Sequence, residues 1–306
     1  MRPKLGRPDI AKYGDRFDVP TAQHDSVMTI TWLGVSTLLV DDGDCALLTD
    51  GFFSRPALLD VVLRRLKSST SRIDECLTRA SIDRLAAVLP VHTHYDHAMD
   101  CGVVAERTGA VVVGGESTAN IARGQGLSED HIMVASPGTE MDFGAFGVTL
   151  IESHHCPPDR FPGVINRPVV PPAKASAYRC GETWSTLIHH RRSAQRLLIQ
   201  GSAGFLPGAL DGQRADVVYL GVGQLGIQPR RYIEQYWEQT IQTVGARRAV
   251  LIHWDDFFRP LTDSLRALPY AGDDLDITMT VLSELAERDG VAMHLPKLWQ
   301  RADPWH

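Results

Sequence analysis

Val91-His92-Thr93-His94-Tyr95-Asp96-His97 packs three histidines and a carboxylate into the six positions from 92 to 97, directly behind the apolar run Ala86-Ala87-Val88-Leu89-Pro90. The apolar run reads as a buried strand, and a strand end is where a fold can hold side chains rigidly. Two apart, His92 and His94 can point the same way and grip one metal ion. Asp96 and His97 then swing past it and can hold a second ion beside the first. Imidazole with carboxylate suits zinc, and also iron or manganese once oxygen donors are added. The plain alternative is a polar loop whose histidines only bond backbone, an account that fits one histidine better than a cluster.

Strand signals surround this stretch. Met28-Thr29-Ile30-Thr31-Trp32-Leu33-Gly34 and Ser36-Thr37-Leu38-Leu39-Val40 alternate and carry β-branched residues, and Cys45-Ala46-Leu47-Leu48-Thr49-Asp50-Gly51 follows. Further on, residues 98–108 read as a helix, 110–113 as a short buried strand and 116–123 as a second helix. Residues 183–190, 196–200 and 217–221 read as strands, and 229–244 as a helix with Pro229 at its start. Residues 55–67 also read as a helix. His189-His190 closes a strand beside Arg191-Arg192 with no partner at ligand spacing, and reads as a surface turn. No repeat of 20 to 50 residues is evident.

The His-x-His-x-Asp-His string resembles the signature of the metallo-β-lactamase superfamily. The resemblance implies an α/β fold, a four-layer αββα sandwich, with ligands drawn from both halves of the chain. It assigns Asp50, at the end of an early strand, to holding a metal-binding histidine in orientation without touching metal. The third histidine falls in Ile151-Glu152-Ser153-His154-His155-Cys156-Pro157, where alternation sends His154 and His155 to opposite faces. Comparison with family members favours His155, while the residues alone leave both open. The last histidine is His253, and His253-Trp254-Asp255-Asp256-Phe257 is similar to the His-Trp-x-x-Phe ending of the branch with ascorbate-6-phosphate lactonase and N-acyl-phosphatidylethanolamine phospholipase D. The metal ligands implied are therefore His92, His94, Asp96, His97, His155 and His253, with Asp96 also the implied catalytic base.

Two positions depart from that pattern. The histidine of the branch's Gly-His-Ser/Ala-Thr turn is Val35 here, so its role does not carry over. Ser202, in Gly201-Ser202-Ala203-Gly204, stands where the family has an Asp that bridges two metals. A neutral hydroxyl is a weak donor to a divalent cation beside a carboxylate, so the second ion loses a bridging charge. Asp255 or Glu152 could supply a replacement carboxylate. The expected cofactor is one or two divalent ions, zinc first and manganese or iron as alternatives. The expected activity is hydrolysis of an ester, lactone or phosphodiester-type bond in a small-molecule substrate by metal-activated water. A non-catalytic metal- or ligand-binding protein on the same fold is the alternative that Ser202 raises.

Composition sets outer bounds. At 306 residues and 43% apolar content the chain can bury a large core without staples. Length alone would allow two domains, but the resemblance implies one over 1–306, with a polar N-terminal extension at about 1–26 and a Pro-rich flap at about 157–175, where Arg160, Phe161 and Arg167 could meet substrate. Net charge is −6 with no long basic run, which argues against a nucleic-acid partner. No stretch of 18 apolar residues and no signal-peptide core is present, so no integral membrane segment is expected and the cytoplasm is the expected location. Five cysteines at irregular spacing fit reduced thiols. Nothing in the sequence specifies an oligomeric state.

Overall fold

The computed structural model describes residues 4–306. The first half of the chain supplies β1 (Thr29–Trp32), β2 (Leu38–Asp41), β3 (Ala46–Thr49), the short helix α1 (Leu58–Leu63), α2 (Thr70–Arg79) and β4 (Ala87–Leu89). It continues through α3 (Tyr95–Ala98), α4 (Cys101–Thr108), β5 (Val111–Gly114), α5 (Glu116–Gly124) and β6 (Ile132–Val134). The second half supplies β7 (Glu140–Phe143), β8 (Phe146–Ser153), β9 (Thr183–His190), β10 (Arg196–Gln200), β11 (Val217–Gly221), α6 (Arg230–Trp237) and β12 (Arg248–Ile252). It ends with α7 (Leu275–Asp289), β13 (Ala292–His294) and β14 (Arg301–Ala302).

These strands make two mixed seven-stranded sheets, ordered β14-β1-β2-β3-β4-β5-β6 and β13-β12-β11-β10-β9-β8-β7. Strand alternation builds the layers. In β2, Leu38 and Val40 face the core shared by the sheets, while Leu39 faces the helices on the outer side. Leu47 and Leu48 divide in the same way, as do Leu89 and Val88. The outer core of the first sheet takes Val104 and Ile121 from α4 and α5, and the large core takes Ile233, Tyr236 and Leu282 from α6 and α7. The result is helix, sheet, sheet, helix: the αββα sandwich expected. Among the described residues no helix is long and apolar enough to cross a membrane.

Several elements differ from their sequence reading. The helix expected over 55–67 shrinks to α1, because Arg55 is drawn inward as a buried cation and Leu66 leaves to bridge Ala173. The helix expected over 229–244 becomes α6 followed by a π-helical turn at Glu238–Gln242. His190 is buried rather than on a surface turn: it packs on the Phe146 ring and bonds Asp42 at 3.2 Å and Ser193 at 2.7 Å. Asp42, which also pairs with the exposed Arg192, gave that histidine a partner 148 residues away that local spacing could not reveal.

The polar segment before β1 lies along the second half of the chain, through Lys4–Asp274, Arg7–Asp256 and His294–Asp18 contacts. The Pro-rich segment is held at many points. Asn120 donates to the Ile165 carbonyl, Val169 N–H to the Asn120 carbonyl, and Cys180 N–H to the Phe161 carbonyl.

Candidate metal centre

The site forms at one edge of the sandwich, where several strands end. The loop after β3 carries Asp50, the turn after β4 carries His92 to His97, and the segments after β8, β10 and β12 carry His155, Ser202 and His253. β3 and β4 run parallel, as do β10, β11 and β12, while β8 is two antiparallel steps from β10 and shares its direction. Carboxyl ends of parallel strands open onto a common crevice, the usual place for a site in α/β sheets.

Two triads gather there. The ligand atoms of His92, His94 and His155 lie within 4.8 Å of one another, and so do those of Asp96, His97 and His253. In the first triad, His92 Nε2 faces His94 Nδ1 at 3.1 Å. His155 Nδ1 is turned to the Cys156 carbonyl at 2.6 Å, which leaves its Nε2 free to face the cluster. In the second, His253 Nε2 faces His97 Nε2 at 3.2 Å, and Asp96 Oδ2 lies 3.7 and 3.8 Å from those two nitrogens. Two nitrogens sharing a tetrahedral zinc at about 2.05 Å are separated by about 3.3 Å. Both nitrogen pairs sit near that spacing. The donor set fits a divalent metal ion.

Protonation points the same way. Burial, with neighbouring histidines adding to it, holds His92 well below the ordinary imidazole range and brings His155 to about 4. Burial also lowers His94 and His253. These rings are neutral at physiological pH, the form that donates a lone pair to metal. In His97 burial also opposes charge, but Asp50 and Asp96 outweigh it and raise the pKa. Asp96 is pushed up by burial, and the surrounding histidines reverse that to keep it ionised.

Asp50 orders this corner through both oxygens. Its Oδ1 accepts from Val91 N–H at 2.9 Å, and its Oδ2 accepts from the Ser36 hydroxyl at 2.6 Å and meets His97 Nδ1 at 2.9 Å. With Nδ1 committed to Asp50, His97 presents Nε2 to the triad. Backbone strain concentrates here: Val35, Asp50 and His253 hold φ of 50°, 52° and 61°, a left-handed conformation costly for residues with side chains. Gly223 makes room for the last of these, since a Cβ there would lie 2.8 Å from His253 Nδ1.

The structure separates the paired candidates. His155 joins His92 and His94, while His154 is exposed. Ser202 accepts from Cys156 N–H through its hydroxyl at 3.0 Å, fastening the loop of His155. Neither suggested replacement carboxylate reaches the triads. Asp255 is paired with Arg55 at 2.5 Å and caps Val35 N–H at 2.9 Å, and Glu152 is exposed. Sequence reasoning missed Ser36, Arg55 and the orienting role open to Asp159, whose Oδ1 lies 3.2 Å from His94 Nε2. Ser36 directly follows Val35, the residue that stands in place of the branch's turn histidine. Asp159 sits in a proline-rich stretch without periodicity, so no local signal marked it.

Both triads open on a cleft of about 1170 Å³. His94, Asp96, His155, Ser202 and His253 reach it, as do Arg160 and Phe161. Arg167 does not line it.

No family model matches the chain. It is 30% identical over 128 residues to a UPF0173 metal-dependent hydrolase of Rhizobium leguminosarum bv. trifolii, 42% of this chain and 48% of that protein. A UPF0173 metal-dependent hydrolase of Methylobacterium nodulans is likewise 30% identical, over 129 residues, with the same shares covered. The chain thus spans about half the length of the curated relatives it matches. Among solved structures it is similar to Igni18, a metallo hydrolase of Ignicoccus hospitalis, with TM-score 0.52 and 16% identity over 90% of this chain and 96% of that one. It is similar to the metallo-β-lactamase fold protein YhfI of Bacillus subtilis, at 0.51 and 14%, over 89% and 96%. CmlA, a diiron β-hydroxylase of Streptomyces venezuelae, aligns at 0.54 and 11%, over 90% and 54%. The chain has the metallo-β-lactamase fold.

Proposed function

We propose that this protein is a metal-dependent hydrolase acting on an ester, lactone or phosphodiester-type bond of a small molecule. The observation that carries the reading is the pair of triads, His92-His94-His155 and Asp96-His97-His253, with His94, Asp96, His155 and His253 reaching one open cleft. Those six residues would hold one or two divalent ions, zinc first and manganese or iron as alternatives. When bound, such an ion lowers the pKa of water towards neutrality and polarises a carbonyl or phosphoryl oxygen.

The chain's own residues supply the rest. Asp50 accepts a hydrogen bond from His97 Nδ1–H and so fixes its tautomer. Asp96, ionised and facing the cleft, is the group placed to accept a proton from attacking water at Oδ. Ser202 brings no charge between the triads, so the second triad has only Asp96 as an anionic donor. The second ion is therefore held more weakly than it would be with a bridging carboxylate.

Elemental analysis of protein purified without added metal tests this directly, with Asp96→Asn and Ser202→Asp prepared alongside. Near one ion per chain is expected, rising in Ser202→Asp. Asp96→Asn is expected to cut turnover of a phosphodiester or lactone by 10²-fold or more, on the order of a lost general base, while the first ion stays. A native protein that binds no divalent metal would end the hydrolase reading.

A further inference from the structure

The cleft above the triads has two features that the metal chemistry does not use. One wall is α1, a helix whose apolar face is left in solvent: Leu58 is 52% exposed, Leu59 71%, Val62 69% and Leu63 75%. Four large apolar side chains on six consecutive residues form a contiguous patch, which soluble proteins rarely leave uncovered without a use. Phe161, Phe257 and Phe258 extend the same apolar lining towards the triads. Phe161 stands 6.2 Å, ring to ring, from His94, and Phe257 5.7 Å from His253.

The second feature is charge. The chain carries a net −6, yet seven Arg or Lys side chains line this cleft against two carboxylates, Asp96 and Asp256. Asp256 is already paired with Arg7 and Arg266. Arg65, Arg160 and Lys174 form no ion pair or side-chain hydrogen bond among the described residues. All three are exposed at the cleft. A positive cleft in a negative protein concentrates anions.

We propose that the substrate is an anionic amphiphile: an aliphatic chain lying on α1 and the phenylalanines, with a carboxylate or phosphate group held by Arg160, Lys174 and Arg65. This rests on the hydrolase reading and names the substrate class of the same site. The occupant of the α1 face is the substrate's own chain, because apolar wall and cationic rim border one cavity that members of both triads, His94, Asp96, His155 and His253, also line. Such a molecule would satisfy both at once and carry its scissile bond to the metal-ligand candidates.

Calorimetric binding of decylphosphonate, which has no ester bond to cleave, tests the assignment on the full chain, both metal-free and metal-loaded. Saturable binding below the micellar range is expected in both forms, tightening about twofold for each methylene from hexyl to decyl as partly buried chain is added. Decyltrimethylammonium and methylphosphonate are each expected to bind at least tenfold more weakly. Leu59→Ser/Val62→Ser and Arg160→Gln/Lys174→Gln alter only exposed side chains, and each is expected to weaken decylphosphonate at least tenfold at an unchanged thermal midpoint.

Equal binding of the cationic amphiphile, or no response to either pair of substitutions, would overturn the proposal. So would a dimer that Leu59→Ser/Val62→Ser separates in sedimentation velocity, which would make α1 a self-association face. Binding only to anionic phosphatidylglycerol vesicles, with none to dispersed decylphosphonate, would make it a membrane contact instead and would equally end the assignment. Metal content is read separately. A metal-loaded protein that ignores decylphosphonate loses this inference and keeps the hydrolase reading, whereas binding by a protein with no metal affinity ends the hydrolase reading and, with it, the amphiphile's role as substrate.

Discussion

Asp50 shows what single residues contribute to the centre. Its two oxygens join β4, the Ser36 turn and His97, so one buried carboxylate sets both a backbone position and a ring tautomer. Asp50→Asn replaces one acceptor oxygen by a donor and removes the charge facing His97. Metal affinity measured by competition with a chromogenic chelator is expected to fall 10- to 100-fold, on the order found for partners that orient ligands, while the fold persists. Unchanged affinity would show that His97 needs no such support. The sequence made the histidine string legible because metal ligands spaced two and three apart leave a local mark. Ser36, Asp159 and the choice between His154 and His155 were not legible in the residues. Each depends on which way a side chain turns at a strand end or irregular loop, and tertiary packing decides that.

At the scale of elements, strands were easier to read than the segments that join them. β9, β10 and β11 have the bounds read for them, because each is an apolar run flanked by turn residues and buried along nearly all its length. Residues 55–67 misled because composition favours helix there, whereas Arg55 serves a different end. Its guanidinium is buried against Asp255 at 2.5 Å and donates to the Arg259 and Asp256 carbonyls, tying the start of α1 to the loop after His253. The side chains of the pair are 2% and 0% exposed. Arg55→Met leaves Asp255 buried without its cation, and breaking such a pair from one side costs about 3–5 kcal/mol. Urea unfolding is expected to show that loss, and Arg55→Met/Asp255→Asn to recover part of it. A loss under 1 kcal/mol would mean the pair is not a structural tie. α7 and the short strands β6, β13 and β14 went unread, the last because two residues carry no period at all.

For the whole molecule, the αββα architecture was legible only through the family resemblance carried by the histidine string, since periodicity marks strands and helices but not how two sheets face each other. The interior also sets a pH response away from the metal centre. Burial pushes Asp273 up to about 7, although amides of Asp274, Gln224 and Gly226 point at its carboxyl and oppose the shift. The folded chain therefore binds this proton more tightly than the unfolded chain, whose carboxyl titrates near 3.9. The resulting stability is full below about pH 4 and is lost as pH rises through about 7. Asp273→Asn cannot ionise, so it is expected to be more stable than the parent at pH 8 by on the order of a few kcal/mol, with the advantage gone at pH 4. Denaturant midpoints across that range check the sign, and parallel curves for the two proteins would refute it.

Trp254 directly follows His253, and its indole lies 5.4 Å from that of Trp32, both buried. One of the six tryptophans thus directly follows a ligand candidate in the chain, with a second indole beside it. Loading the centre with cobalt(II), an absorbing and paramagnetic ion, is expected to quench their emission stoichiometrically, while zinc leaves it bright. A Trp254→Phe variant should lose much of that signal, so occupancy can be followed by light in an unlabelled sample.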